Sequence, residues 1–216
     1  MAKRLKDSFN ITLKDNQKGV INFFKEHQIA ILTGMAGTAK STLAIYYAIS
    51  QLIAGEFEKI ILAKPLQPTG NDIGFLRGSL AEKLEPYIQS YKDIFNKIYG
   101  ETASNNLWNG KKVEFLPLTF IRSTTCENSI LIMDEAQNAN IHTIMSFVTR
   151  MSDNSKTILL GDRYQSDIKR SGLMSFIELS DNIAGHMHLD ETYQMRSSLI
   201  VELQNRYIEY LNNEHF

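Results

Sequence analysis

The stretch Ile29–Thr42, IAILTGMAGTAKST, restricts the possible folds more than any other part of this chain. Ile29, Ile31 and Leu32 read as a buried strand, and Ser41 to Ile53 reads as a helix with Leu43, Tyr47 and Ile49 among its apolar positions. The turn between them nearly fits the phosphate-binding pattern GxxxxGK followed by Ser or Thr. Gly34 is the first glycine, Lys40 the lysine and Ser41 the hydroxyl, with Ala39 where the last glycine would stand. Across Gly34, Met35, Ala36, Gly37, Thr38 and Ala39 such a loop turns its N–H groups towards the β- and γ-phosphates of a nucleotide. Lys40 adds a point charge, and Ser41, followed by Thr42, offers a hydroxyl to Mg²⁺ at a helix start whose dipole favours anions. The alternative is an ordinary glycine turn with Lys40 exposed. If Ala39 takes a positive φ its methyl costs about 1 kcal/mol and stands close to phosphate oxygens, so weaker nucleotide binding is expected.

A second chemical centre follows. Ile130, Leu131, Ile132 and Met133 form a continuous apolar run, as a central parallel strand does, ending in Asp134 and Glu135. Adjacent acids at a strand end are costly to bury without a partner, and Mg²⁺ with a triphosphate supplies one. Asp134 is expected to hold the magnesium shell and Glu135 to act as general base on the attacking water. Otherwise the two acids simply open a helix and favour its dipole. The next strand, Thr157 to Leu160, runs into Gly161, Asp162 and Gln165, and Gln165 is placed to sense the γ-phosphate.

With 216 residues, 43% of them apolar, the chain can bury one substantial core. Residues 1–10 are expected to be loosely ordered and 11–216 to form a single α/β domain, with no repeat and no low-complexity tract. A net charge of −1 gives no global field towards nucleic acid or acidic membranes. Cys126, the single cysteine, excludes an intrachain disulfide and a multi-cysteine zinc site. No apolar run approaches the ~18 residues of a membrane span, and a soluble, cytoplasmic protein is expected.

Leu13 to His27 suggests a short helix capped by Asp15 or Asn16; Gln17 in its first turn can offer a donor and an acceptor to an adenine edge. Lys59–Ala63 reads as a strand, followed by a Pro- and Gly-rich loop in which Lys64, Gln67 and Thr69 could meet phosphate or a nucleic-acid backbone. Leu80 to Ile98 reads as helical around Pro86, residues 100–112 as a polar surface excursion, and Val113 to Leu116 as a strand. His186 and His188 fall on one face of a strand without an evident third metal ligand. Arg196 precedes a C-terminal helix carrying Leu199, Ile200, Leu203 and Tyr207, and is either a surface residue or an arginine finger aimed at ATP on a neighbouring subunit.

These motifs together resemble the PhoH-like family of ATPases, whose domain is similar to the first motor domain of superfamily 1 helicases. GMAGTAKS resembles the family's GPAGTGKT and GFLRGSLAEKLEPY its GFLPGDLxEKxxPY; LPLTFIRSTT, LIMDEAQN and GDRYQSD follow in the family's order. The resemblance covers most of the chain and implies a RecA-like P-loop fold, a mostly parallel twisted sheet with helices on both faces. It implies ATP and Mg²⁺ as ligands, held at Gly34, Gly37, Lys40, Ser41 and Asp134, with Glu135 and Gln165 acting on the γ-phosphate. Ala39 for glycine, Lys64 for arginine, Arg77 for proline and Ser197–Ser198 for His-Pro depart from the pattern and bear on turnover more than on fold. The form is similar to short members found in phage genomes. The expected function is Mg²⁺-dependent ATP hydrolysis, with a homo-oligomeric, hexameric ring and single-stranded RNA or DNA as expected partners. The alternatives are a nucleotide-gated binding module with little turnover, or a small-molecule kinase.

Overall fold

The computed structural model describes residues 9–65, 80–123, 125–168 and 171–213. The loop containing Gln67 and Thr69 lies outside the described residues, as does most of residues 1–10. Helix α1, Asp15–Glu26, forms because Val20, Phe23 and Phe24 recur on one face and are buried. Its cap is Lys14 rather than Asp15 or Asn16: the Lys14 N–H donates to Gln17 Oε1 at 3.0 Å, and Asp15 sits inside the first turn, favouring the helix dipole. Strand β1 is Ile29–Gly34, and helix α2, Lys40–Ala54, ends on Gly55 in the left-handed conformation. Strand β2 is Lys59–Ala63 and helix α3, Leu80–Tyr99, contains Pro86.

The expectation for residues 100–112 is corrected. Glu101–Asn109 is a helix, α4, set off from α3 by Gly100 at φ 82°. Ser104 is buried and Leu107 and Trp108 pack on the core. So few apolar side chains in a polar segment do not make a readable stripe, but they are enough once α3 and the sheet lie beneath them. Strands β3, Val113–Phe115, and β4, Ser129–Met133, follow, then helix α5, Ile141–Val148, strand β5, Lys156–Gly161, helix α6, Gly172–Leu179, strand β6, Gly185–Leu189, and helix α7, Ser198–Asn213.

The strands make one parallel six-stranded sheet in the order β3-β2-β4-β5-β1-β6, the α/β architecture expected from the motif order. Its central strands carry near-continuous apolar runs because both faces are covered. Ala30, Leu32, Ile60, Leu62, Ile130, Ile132, Ile158 and Leu160 face a core shared with α1 to α4. The alternate residues Ile31, Ile61, Leu131, Met133 and Leu159 face a second core with Ile144, Phe147, Leu173 and Phe176 of α5 and α6. Since all strands run the same way, Gly34, Lys64, Asp134, Asp162 and Asp190 emerge at one edge, with β5 between the strand of the glycine loop and the strand of the acid pair. Ligand crevices of open parallel sheets form at that edge. Among the described residues no helix is long and apolar enough to cross a membrane.

Candidate functional site

The loop after β1 is folded on itself by its own polar groups. Thr38 Oγ1 donates to the Met35 carbonyl at 2.8 Å, and Lys40 Nζ donates to the carbonyls of Gly34 at 2.6 Å and Met35 at 2.9 Å. Burial pulls the Lys40 pKa down from its ordinary value, while the negative charges of Asp162, Asp134 and Glu135 oppose that shift. Gly37 has φ 94°, and a Cβ there would stand 2.7 Å from Gln194 Oε1 and 2.9 Å from the stem of Arg196. Ala39, the N-cap of α2, has φ 64° and ψ 23°, so the alanine does adopt the left-handed conformation for which glycine is suited. Thr42 follows Ser41 in the first turn of α2.

The acid pair faces this loop. Asp134 is buried, and its Oδ2 accepts from Ser41 Oγ at 2.7 Å and from the Tyr91 hydroxyl at 3.4 Å; its Oδ1 accepts from the Glu135 N–H at 3.0 Å. Desolvation pushes the Asp134 carboxyl above the usual carboxylate range, with the Glu135 charge adding to the shift and the Ser41 hydrogen bond opposing it. Burial and the same two acids raise the Tyr91 hydroxyl well above its ordinary pKa, so it stays a donor. Glu135 is left-handed, with φ 55° and ψ 40°. Its Oε2 accepts from Gln137 Nε2 at 2.7 Å and its Oε1 lies 3.7 Å from Lys64 Nζ. Gln165 donates its backbone N–H to the Asp162 carbonyl at 3.1 Å. With Lys64, Tyr87, Glu135, Tyr164 and Tyr207 it lines a cavity of about 440 Å³.

A strap from the C-terminal part closes over the loop. The Met195 N–H donates to the Gly37 carbonyl at 3.0 Å, and the side-chain amides of Gln194 and Gln204 donate to the Ala36 carbonyl at 3.1 and 3.2 Å. Arg196 is therefore laid on the phosphate loop of its own chain, close enough for its charge to act on Lys40. Of the two readings of Arg196, a surface residue or an arginine finger, the strap from β6 to β1 sets its stem against Gly37 of its own chain. Gln17 is buried beside the strap, its Nε2 3.8 Å from Met195 Sδ. Its Oε1 accepts from the Lys14 N–H in capping α1, which uses one of the two lone pairs of the amide oxygen. His186 Nε2 and His188 Nδ1 flank Thr33 Oγ1 at 2.9 and 3.0 Å. Among the described residues no group of three or more His, Cys, Asp or Glu gathers around a possible metal position.

Lys40, Ser41, Asp134, Glu135 and Arg196 are thus brought to one place, with Gln165 on the cavity wall beside Glu135. Sequence reasoning missed Tyr91, Gln137 and Gln204. Tyr91 follows the helical period of the α3 core positions, which hides it among Phe95 and Ile98. Gln137 is fully buried two residues after Glu135, and in sequence it stands out only as a polar side chain just beyond the acid pair within LIMDEAQN.

A family model described as PhoH-like protein matches residues 11–208. A PhoH-like protein of Bacillus subtilis (strain 168) is 32% identical over 196 residues, covering 88% of this chain and 61% of that protein. A PhoH-like protein of Mycobacterium tuberculosis (strain H37Rv) is 30% identical over 201 residues, covering 90% and 57%. Protein PhoH of Escherichia coli (strain K12) is 30% identical over 207 residues, covering 92% and 58%. The chain spans roughly three fifths of the length of these relatives. Among solved structures, the Pif1 helicase of Candida albicans aligns with a TM-score of 0.41 at 18% identity, over 84% of this chain and 40% of that one.

Proposed function

The chain belongs to the PhoH-like family, and from that premise we propose that it binds ATP at the loop Gly34–Thr42 and hydrolyses it with Mg²⁺. The observation that carries the reading is the 2.7 Å contact between Ser41 Oγ and Asp134 Oδ2, which joins the phosphate loop to the acid strand. A hydroxyl and a buried carboxylate whose charge burial disfavours are a hard-oxygen pair suited to Mg²⁺. Ser41 and Asp134 would hold the ion, which when bound supplies positive charge against the phosphate oxygens. Lys40 exchanges its two loop carbonyls for phosphate oxygens. Glu135, held by Gln137, accepts the proton of the attacking water, Gln165 reads the γ-phosphate end, and Arg196 acts on the nucleotide of its own chain.

Lys40→Ala should abolish ATP binding, and Glu135→Gln should keep it while stopping phosphate release. Wild-type release by purified Glu135→Gln would remove the general-base assignment. A nucleotide-gated binding module is the second reading, supported by the left-handed Ala39; it requires ATP binding without turnover.

The assembled form proposed is a homo-oligomeric ring, hexameric by the family resemblance, in which a neighbour walls the open side of the site. Leu199, Leu203, Tyr207 and Tyr210 of α7, all more than half exposed, support an association surface there. Single-stranded RNA or DNA is proposed as the polymer acted on, again from the resemblance. Mass photometry with and without ATP and Mg²⁺ tests the ring, and a monomer that hydrolyses ATP at full rate refutes it.

A further inference from the structure

Gln137 has no exposed surface, and every polar valence of its amide used in the structure points at a functional segment. Nε2 donates to Glu135 Oε2 at 2.7 Å and to the Gln165 carbonyl at 3.2 Å, while Oε1 accepts from the Asp162 N–H at 3.1 Å. Only one orientation of the amide serves all three, because an N–H requires an acceptor while a carboxylate and a carbonyl require donors. The path continues beyond Asp162. Its Oδ1 accepts from the Tyr164 N–H at 3.0 Å and its Oδ2 from the Ala36 N–H, inside the phosphate loop, at 2.9 Å. An unbroken chain of hydrogen bonds therefore runs from the Glu135 carboxylate through Gln137 and Asp162 to the loop.

Two further features give this chain mechanical content. Glu135 sits at φ 55°, a conformation that a non-glycine residue holds only when its surroundings impose it. A Cβ on Gly161 would fall 2.3 Å from Leu173 Cδ2 and 3.2 Å from Gln137 Oε1, so the end of β5 closes tightly on the amide and leaves it little room to turn. We propose that Gln137 is the positioning residue of this site, fixing the Glu135 carboxylate relative to the phosphate loop through Asp162. The inference rests on the hydrolase reading for its kinetic consequence only. Its structural half, the coupling of Ala36 to Gln137, is independent of turnover.

The experiment pairs Gln137→Glu with Gln137→Met, measured for kcat, KM and thermal melting. Amide hydrogen exchange is followed at Ala36 and Asp162 in the nucleotide-free chain. Gln137→Glu keeps an acceptor for the Asp162 N–H but sets a carboxylate oxygen against Glu135 and the Gln165 carbonyl. Gln137→Met removes both ends. Both variants should lose about tenfold to a hundredfold in kcat, the rate equivalent of one hydrogen bond to a charged group, with KM nearly unchanged. In Gln137→Met the Ala36 and Asp162 amides should exchange faster than in wild type, while amides in α4, remote from the site, stay as they were.

Should the methionine variant fail to fold, Gln137→Glu alone decides by its kcat-against-KM split. Retained kcat in a folded variant overturns the proposal. So does a parallel loss of kcat and nucleotide affinity, the mark of general damage, or unchanged exchange at Ala36 in Gln137→Met. If the wild-type chain releases no phosphate, the hydrolase reading fails on its own, and the exchange at Ala36 still decides the coupling.

Discussion

Ala39→Gly isolates the one place where the phosphate loop departs in backbone chemistry from its pattern. Ala39 is held at φ 64°, ψ 23°, and an L-residue there gives up about 1–2 kcal/mol that glycine does not. Two terms oppose the gain. Glycine loses more freedom on folding, about 0.5–1 kcal/mol. The methyl is partly buried against the first core, and losing it costs about half of the ~0.8 kcal/mol of a fully buried carbon. The sum runs from slightly unfavourable to about 1 kcal/mol favourable. A change in melting temperature between about −2 and +4 °C is therefore expected for a chain of this size. ATP should bind up to about tenfold tighter by calorimetry if the methyl also crowds the phosphates, since about 1.4 kcal/mol is a factor of ten. Ala39→Val is the counter-test. A β-branched residue in that conformation is a genuine outlier, and the melting temperature should fall clearly below wild type. A drop of more than about 4 °C in Ala39→Gly, or a valine variant as stable as wild type, would refute the strain argument.

Because burial lowers the Lys40 pKa and phosphate oxygens favour its charged form, nucleotide binding should take up a proton on the alkaline side. ATP affinity should then fall as pH rises towards 10.5, and Lys40→Arg should flatten that slope; calorimetry in buffers of different ionisation enthalpy checks the proton uptake. Lys156 Nζ is buried, donating to the Phe24 and His27 carbonyls at the end of α1, and burial pulls its pKa down to about 8. Below that value both folded and unfolded chains carry the charge and the penalty is complete. Between about 8 and 10.5 the folded chain gives up its proton first, so wild-type stability should rise relative to Lys156→Met as pH climbs through that window; urea melts across the range measure it. Mixing Arg196→Ala with Lys40→Ala chains should restore no phosphate release, because Arg196 lies on the loop of its own chain. Recovery on mixing would show a finger acting between subunits.

The strands that carry chemistry were legible because burial on both faces writes them as unbroken apolar runs. Ile29–Leu32, Lys59–Ala63, Ile130–Met133 and Thr157–Leu160 all sit within the observed β1, β2, β4 and β5, and each ends where its polar residues begin. What escaped notice depends on distance along the chain. No local pattern places Arg196 on Gly37 or joins Gln137 to Asp162; those contacts exist only after β5 and β6 have lined up beside β4 and β1. The capping role of Gln17 is a local one, its oxygen accepting from Lys14 three residues upstream. Helix α4 was missed because Leu107 and Trp108 gain their partners from α3 and the sheet, not from neighbours in sequence.

Strand β1 lies between β5 and β6, its register set by Thr157–Gly161 on one side and Gly185–Leu189 on the other, and its loop is held by Gln194, Met195 and Gln204. During synthesis the first of these elements leaves the ribosome long before the last. An emerging chain therefore carries the apolar β1 with neither lateral neighbour through most of its elongation. Such non-local parallel pairing is slow to form and leaves strand edges open meanwhile. Nascent chains stalled ahead of residue 190 should be bound by chaperones and fail to retain nucleotide, and that behaviour should cease only once the segment through Gln204 has emerged.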